Sequence, residues 1–214
     1  MFDIATVDAL VGSRISLRPV SRDDYGLLFK WRSDASSLHL WSSQRRILTF
    51  EQFAGNLEQI LQECVFLLIL DRHTRRPLGF VHSYGASAED GFAYFILYTE
   101  PSSRKTGAGV EAALLFGDYL FKFFAIRKLY AEVYEFNVDS MDVLLNAGFV
   151  QEGMLKEHLW YENRYWNMHQ LALYRDDWTK LRDRVSELFE PRKPRRTDRS
   201  YLTNGSTEAA STQR

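Results

Sequence analysis

The stretch that most constrains this chain is Arg104-Lys105-Thr106-Gly107-Ala108-Gly109, because of what stands on either side of it. Before it lies Phe92-Ala93-Tyr94-Phe95-Ile96-Leu97-Tyr98, an apolar, aromatic-rich run of strand length. After it, Val110, Ala113, Leu114, Gly117, Leu120, Phe121 and Phe124 recur at the spacing of a buried helix face. The glycines therefore sit where a strand hands over to a helix. The first amide groups of a helix have no partner within it and point out of its positive end. Two glycines let a bulky anion approach those amides, and Arg104 with Lys105 adds charge, so the stretch reads as a site for a diphosphate. It lacks the third glycine of a dinucleotide fingerprint and the Gly-Lys-Ser/Thr ending of a Walker loop.

The elements around this centre follow from periodicity and caps. Residues 14–19 alternate like a strand closed by Pro19, and Ser21 caps a helix through Tyr25, Leu28, Phe29 and Trp31. Thr49 and Gln52 are spaced as a capping box for a second helix through Phe53, Leu57, Ile60 and Leu61. Strands are expected at 64–70, 78–84, 92–98 and 128–134. A short helix carrying Met141, Leu144 and Leu145 then stops at Gly148. Two strands at 149–160 and 165–173 flank a turn at Glu162-Asn163-Arg164, and a last helix spans 176–188. The order β-α-α-β-β-β-α-β-α-β-β describes an α+β fold with a seven-stranded, mostly antiparallel sheet.

Composition narrows the setting. A chain of 214 residues, 45% hydrophobic, suits one domain over residues 1–189. Residues 190–214 carry six basic and three acidic residues with few large apolar ones, and read as a disordered basic and polar tail. The net charge of -1 does not mark the chain as a nucleic-acid binder. One cysteine, Cys64, excludes an internal disulfide and a thiolate zinc site, and His39, His73, His82 and His169 show no metal-ligand spacing. No apolar run is long enough to span a bilayer and residues 1–10 do not read as a signal peptide, so a cytoplasmic protein is expected, as a monomer or homodimer, with no membrane and no metal.

In order of elements and local sequence, the chain resembles the GNAT acetyltransferases, in particular the subfamily of ribosomal-protein alanine and spermidine acetyltransferases. The family's Arg/Gln-x-x-Gly-x-Gly/Ala loop is matched by Arg104 to Gly109, the subfamily's Glu-Ala by Glu111-Ala112, and its aromatic stretch by Asp118-Tyr119-Leu120-Phe121. Asn137-Val138-Asp139-Ser140 matches Asn-x-x-Ser, Gly148-Phe149 matches Gly-Phe, Glu152-Gly153 matches Glu-Gly, and Asp177-Trp178 matches the closing Asp-Trp. The likeness covers about residues 14–178.

The resemblance implies acetyl-CoA bound in a V between parallel strands 92–98 and 128–134, the fourth and fifth of the sheet, which splay apart. The diphosphate would rest on the amides of Lys105, Thr106, Gly107, Ala108 and Gly109 beside Arg104. The thioester carbonyl would be held by a backbone amide near Ile96 or Leu97, and Asn137 would touch the pantetheine arm. An amide aimed at the developing oxyanion is the electrostatic device such a transfer needs. Many relatives place a tyrosine near the sulfur seven residues after the Asn, and here that position is Leu144. Ser140 is the matched acid for the sulfur, or else a hydroxyl that contacts CoA or helps start its helix, with Tyr134 a second candidate for the acid. Glu100, Glu157 and His158 are candidate bases, and alternation puts the last two on opposite faces.

Acceptor choice in such folds lies with the first two helices and the last hairpin, which here offer Trp31, Arg32, Trp41, Trp160 and Tyr165. Asn167 stands where the subfamily often has Asp, which disfavours a strongly cationic polyamine. The implied activity is N-acetylation of a primary amine, either a small amino compound (an amino sugar, amino acid derivative or antibiotic) or a protein N-terminus. The alternative is a catalytically silent GNAT domain that binds acyl-CoA as a sensor or scaffold, which the leucine at 144 favours.

Overall fold

In the computed structural model of the chain, which describes residues 8–35, 38–39 and 46–189, the aliphatic and aromatic runs assemble into one mixed sheet. Its strands are β1 (Leu10–Val11), β2 (Ile15–Pro19), β3 (Phe66–Asp71), β4 (Pro77–Ser87), β5 (Phe92–Thr99), β6 (Lys128–Tyr134), β7 (Val150–Tyr161) and β8 (Arg164–Tyr174). They lie in the order β1-β2-β3-β4-β5-β6-β8-β7, and every pair is antiparallel except β5 with β6. Around them stand α1 (Tyr25–Ser33), α2 (Phe50–Glu63), α3 (Ala108–Phe123), α4 (Val138–Asn146) and α5 (Arg175–Phe189). This is the α+β architecture expected, with eight strands rather than seven. The additional strand is β1, whose two residues are too few to leave an alternating pattern. Trp41 and the tail over residues 190–214 lie outside the described residues.

Local chemistry explains where the elements begin. At the start of α2 the Thr49 hydroxyl accepts from the Gln52 amide at 3.3 Å, and the Gln52 side chain accepts from the Thr49 amide at 3.1 Å. Cys64 closes that helix, its amide donating to the Ile60 carbonyl at 2.9 Å, so the strand expected from Cys64 starts at Phe66 instead. Ser21 opens a short 3-10 turn (Arg22–Asp24) ahead of α1. There the Asp24 carboxylate takes two hydrogen bonds of 2.7 Å from Arg18 and one of 2.8 Å from the Ser21 amide. Burial works against the charge on Asp24, but those donors outweigh it and hold its pKa low.

Alternation along the strands divides the core in two. On one face Leu17, Ile69, Val81, Leu129 and Leu171 pack beneath α3 and α5. On the other, Leu68, Leu70, Phe80 and Tyr98 meet Leu28 and Trp31 of α1 and Phe53 and Leu57 of α2. Each fully buried side chain of this kind is worth roughly 1.5–3 kcal/mol. The buried stripe of α3 differs from the one expected. Ala108, Ala112, Phe116 and Leu120 face the sheet, while Val110 and Phe124 are 43% and 44% exposed. The helix is apolar nearly all round, so its periodicity alone does not select the stripe. Gly117 lies under the Trp178 ring, where a Cβ would collide with the indole.

Two carboxylates hold the frame around β5 and β6. Glu111 of α3 is 5% exposed and accepts from the Ser13 hydroxyl at 2.8 Å, from the Ser13 amide, and from the Arg14 amide at 3.2 Å, so it clasps the β1–β2 turn. Glu152 of β7 accepts from Lys128 at 2.7 Å, from the Tyr130 hydroxyl at 2.6 Å, and from the Tyr174 hydroxyl. Burial opposes ionisation of Glu152, yet Lys128, Tyr130 and Tyr174 prevail and lower its pKa from 4.5 to about 2. Three strands thus meet at one side chain. Among the described residues no helix is long and apolar enough to cross a membrane, and no group of three or more His, Cys, Asp or Glu could hold a metal ion.

Both clasps can be tested by unfolding. Because the folded pKa of Glu152 is depressed, its stabilisation is full above pH 4.5 and drains away as pH falls towards about 2. Glu152→Gln should therefore destabilise the protein at pH 7 by about 1–3 kcal/mol and flatten the acid limb of its stability curve, read by urea unfolding against pH. Glu111→Ala strands the Ser13 and Arg14 amides, and should lower Tm by about 2–4 °C for each kcal/mol lost, as measured by calorimetry.

Candidate active site where two parallel strands part

β5 and β6 pair only at Phe92 with Lys128, Ala93 with Leu129 and Tyr94 with Tyr130. Beyond these the strands separate. β5 continues to pair with β4 as far as Thr99, and β6 with β8 as far as Tyr134, so a V opens between them. Antiparallel bonding alternates, so its phase says which backbone groups of β5 face that gap. The Glu100 amide donates to the Leu78 carbonyl at 2.8 Å, which puts Tyr98, Ile96 and Tyr94 in bonding register with β4. The Ser83 amide, opposite Phe95, turns away to the Val65 carbonyl at 2.9 Å, as that phase requires. The backbone groups of Leu97 and Thr99, beyond the last β5–β6 bridge, therefore point into the V. Of the two amides expected near the thioester, that of Leu97 faces the gap and that of Ile96 is turned to His82 of β4.

The glycine loop closes one side of this opening. Lys105 and Gly107 take positive φ values of 62° and 86°, which curl the chain between the short turn at Pro101–Ser103 and the start of α3. Thr106 donates its hydroxyl to the Ser103 carbonyl at 2.8 Å and accepts from the Ala108 amide at 3.3 Å, while Arg14 reaches the Thr106 carbonyl at 3.2 Å. A Cβ on Gly109 would come within 3.3 Å of the Leu97 and Thr99 side chains, so the helix start is seated directly on β5. Arg104 and Lys105 stand exposed beside it, with the Arg104 Nε 3.5 Å from the Thr99 carbonyl. The result is a cradle of amides at the positive end of a helix of 16 residues, opening on the V.

The other arm carries Asn137 and Ser140. Asn137 is the N-cap of α4, its side-chain oxygen accepting from the Ser140 amide at 3.4 Å. Leu144 packs against the core on the α3 side. Tyr134, half-buried at the end of β6, stacks on Phe136 with ring centres 5.6 Å apart.

The remaining candidates are scattered. The Glu100 carboxylate lies 3.9 Å from Arg76. Glu157 and His158 fall in a bulge between Leu155 and Leu159, so the alternation that would separate their faces is broken and both are exposed. Within it Glu157 has a φ of 49° and donates its amide to the Asn167 side chain at 3.0 Å. Trp31 is 5% exposed and packs on Phe80 and Tyr98 as core, and Arg32 beside it is 8% exposed, its guanidinium pKa lowered by burial. Trp160 and Tyr165 project from the hairpin tip, 51% and 59% exposed, with rings 4.8 Å apart.

One group of residues was missed from the sequence. On the sheet face away from α3, the Tyr84 hydroxyl donates to Glu132 at 2.9 Å, Tyr94 stacks on Tyr130 at 4.9 Å, and Gln170 donates to the Tyr94 hydroxyl. Burial, with the Glu132 carboxylate next to it, pushes the Tyr84 pKa far up, so its hydroxyl keeps its proton. The strand pattern of 128–134 places Glu132 opposite Ala131 and Val133, but only the fold brings Tyr84 and Tyr94 to it.

Geometry of this kind can be compared with known proteins. A family model described as "Acetyltransferase (GNAT) domain" matches residues 14–150. An uncharacterized SPbeta prophage-derived N-acetyltransferase, YokL, of Bacillus subtilis (strain 168) is 24% identical over 161 residues, covering 73% of this chain and 87% of YokL. In fold the chain is similar to spermidine N-acetyltransferase from Vibrio cholerae in complex with CoA and spermine (TM-score 0.72, 17% identity, 78% of this chain and 99% of that one). It is likewise similar to a GCN5-related N-acetyltransferase from Brucella melitensis (TM-score 0.70, 18% identity, 85% of each chain). With a strand-loop-helix cradle opening on a parted parallel pair and a family match over most of the sheet, this chain belongs to the GNAT acetyltransferases, enzymes that use acetyl-CoA to acetylate amines.

Proposed function

We propose that the chain transfers the acetyl group of acetyl-CoA to a primary amine by direct attack in a ternary complex. The observation that carries this reading is the phase of β5, which turns the Leu97 amide into the V just past the last β5–β6 pair. An amide fixed by the sheet needs no reorganisation to meet negative charge growing on a carbonyl oxygen, and one such donor is worth roughly a hundred- to a thousandfold in rate. The diphosphate of CoA fits the loop from Lys105 to Gly109, where two positive-φ residues curl the chain at the helix start, the Ala108 amide is already on Thr106, and Arg104 and Lys105 supply charge.

Ser140, in the first turn of α4, is the group we assign to protonate the departing sulfur. Tyr134 lies at the end of β6 on the opposite sheet face from Val133 and is the second candidate for that role. Asn137 is engaged through its oxygen as the helix cap, and its amide nitrogen is the part we assign to the pantetheine arm. The exposed Trp160 and Tyr165 supply an aromatic platform for the acceptor. Spermidine acetyltransferases among the structural neighbours support a small amine over a protein N-terminus.

Two measurements test this. Calorimetry should give acetyl-CoA an affinity about a hundredfold above acetyl-pantetheine, which lacks the diphosphate, a difference of about 2.7 kcal/mol. Equal affinity would remove the cradle from the account. Ser140→Ala should lower kcat by about a hundredfold in a thiol-release assay while leaving the acetyl-CoA Kd unchanged. Parallel losses in both would make Ser140 a binding residue.

A further inference from the structure

At the end of α3 remote from the glycine loop, the fold leaves a cavity of about 160 Å³. Its walls come from Leu120 and Phe124 at the end of the helix, Ala93 at the start of β5, Val65 before β3, and Ser83 and Ala86 on β4. A helix of 16 residues is about 24 Å long, so most of its length separates this space from the cradle of amides. The space exists because small side chains stand where a strand bends. Between the pairs Tyr84 with Tyr94 and Ser87 with Phe92, Gly85 and Ala86 of β4 face Ala93 alone, a bulge that pushes β4 outward. Ala86, Ala93 and Ala125 then fill the wall with a methyl group each.

The walls are tied to one another. The Ser83 amide donates to the Val65 carbonyl at 2.9 Å, and the Val65 amide donates to the Ser83 hydroxyl at 3.2 Å. The Arg127 amide donates to the Gly91 carbonyl at 2.6 Å, which joins the β4–β5 hairpin to the start of β6. Arg175 reaches the Ile126 carbonyl at 2.9 Å and the Phe124 carbonyl at 3.1 Å, which pins the chain as it leaves α3. Bonds of this kind keep the gap from closing, and an apolar cavity of about 150 Å³ is large enough to take up benzene.

One buried polar group interrupts the carbon lining. Ser83 is 6% exposed, and its oxygen is taken by the Val65 amide. Among the described residues its hydroxyl proton has no acceptor, whereas the Ser87 hydroxyl donates to Asp90 at 2.9 Å. A buried donor without an acceptor is costly, and a ligand oxygen would satisfy it. Glu63 stands exposed at the rim, where its charge opposes an anion. We infer that this cavity binds an uncharged single-ring compound with a carbonyl oxygen, its ring against Leu120, Phe124 and the alanines and its oxygen on the Ser83 hydroxyl. The site is separate from the V, so such a compound and acetyl-CoA can be bound together.

The probes are acetophenone, ethylbenzene, which has nearly the same size and no oxygen, and benzoate. Each is titrated into the isotope-labelled full chain and followed through its amide chemical shifts. Acetophenone should move the amides of Ser83, Ala86, Ala93 and Ala125 saturably, with a Kd about threefold to tenfold below that of ethylbenzene. Benzoate should leave them in place at the concentration where acetophenone saturates. Ser83→Ala should bring acetophenone to the affinity of ethylbenzene. Ala86→Phe, which fills the space from an exposed position of the bulge, should abolish binding of both. Saturating acetyl-CoA should leave the acetophenone Kd unchanged. Equal wild-type affinity for acetophenone and ethylbenzene, binding that survives Ala86→Phe, displacement by acetyl-CoA, or no shift at these amides would each overturn the inference. None of these outcomes depends on whether Ser83→Ala folds.

Discussion

A strand that loses its neighbour halfway along its length is left with polar backbone groups and no ladder to satisfy them. The rest of this structure depends on that condition in β5. Phe92 and Tyr94 are paired on both sides, Ala93 with β6 alone, and past the last β5–β6 pair at Tyr94 only β4 remains. The free amides are rigid because β4 still holds every second residue, and they are accessible because β6 has turned away. A peptide carbonyl in solution meets donors that must reorient. Here the amide is held in place by the sheet, and a donor held in that way is what the transfer we propose would use to lower its barrier.

Several devices keep the parting in place. Glu152 draws Lys128 and Tyr130 of β6 towards β7 and β8, so β6 is anchored on the side away from β5. Glu111 ties the β1–β2 turn to α3 and fixes the helix whose first amides face the V. Gly109 brings that helix start within van der Waals contact of Leu97 and Thr99. Two carboxylates near the parting strands differ by their partners. Glu152 on β7 is saturated by three donors, whereas Glu132 on β6, with β8 between them, accepts one among the described residues, from Tyr84.

Much of this was legible in the residues. The capping box at Thr49 and the strand-glycine-helix passage at 92–124 are local patterns, and local patterns survive into the fold, while the parallel pair with 128–134 was expected from the family resemblance. Three kinds of feature were not legible. β1 is shorter than any period can reveal, and α3 is apolar on more than one face, so its buried stripe came out rotated. The bulges in β7 at Glu152 and around Glu157 interrupt alternation without a sequence mark, so strand parity does not assign faces to Glu157 and His158. The third is proximity. Tyr84 and Glu132 are 48 positions apart, and nothing in either segment announces the other. Trp31 shows the converse, an aromatic residue in an acceptor-lining segment that turned out to be core.

The central claim is that the Leu97 amide, and not its neighbour, meets the acetyl carbonyl. Amide chemical shift and hydrogen exchange at Leu97 and Ile96, compared with and without acetyl-CoA, test it directly. The Leu97 amide should shift downfield and gain protection on binding, while that of Ile96, already in register with His82, should change little. Protection appearing at Ile96 with Leu97 unchanged, or at neither, would contradict the account.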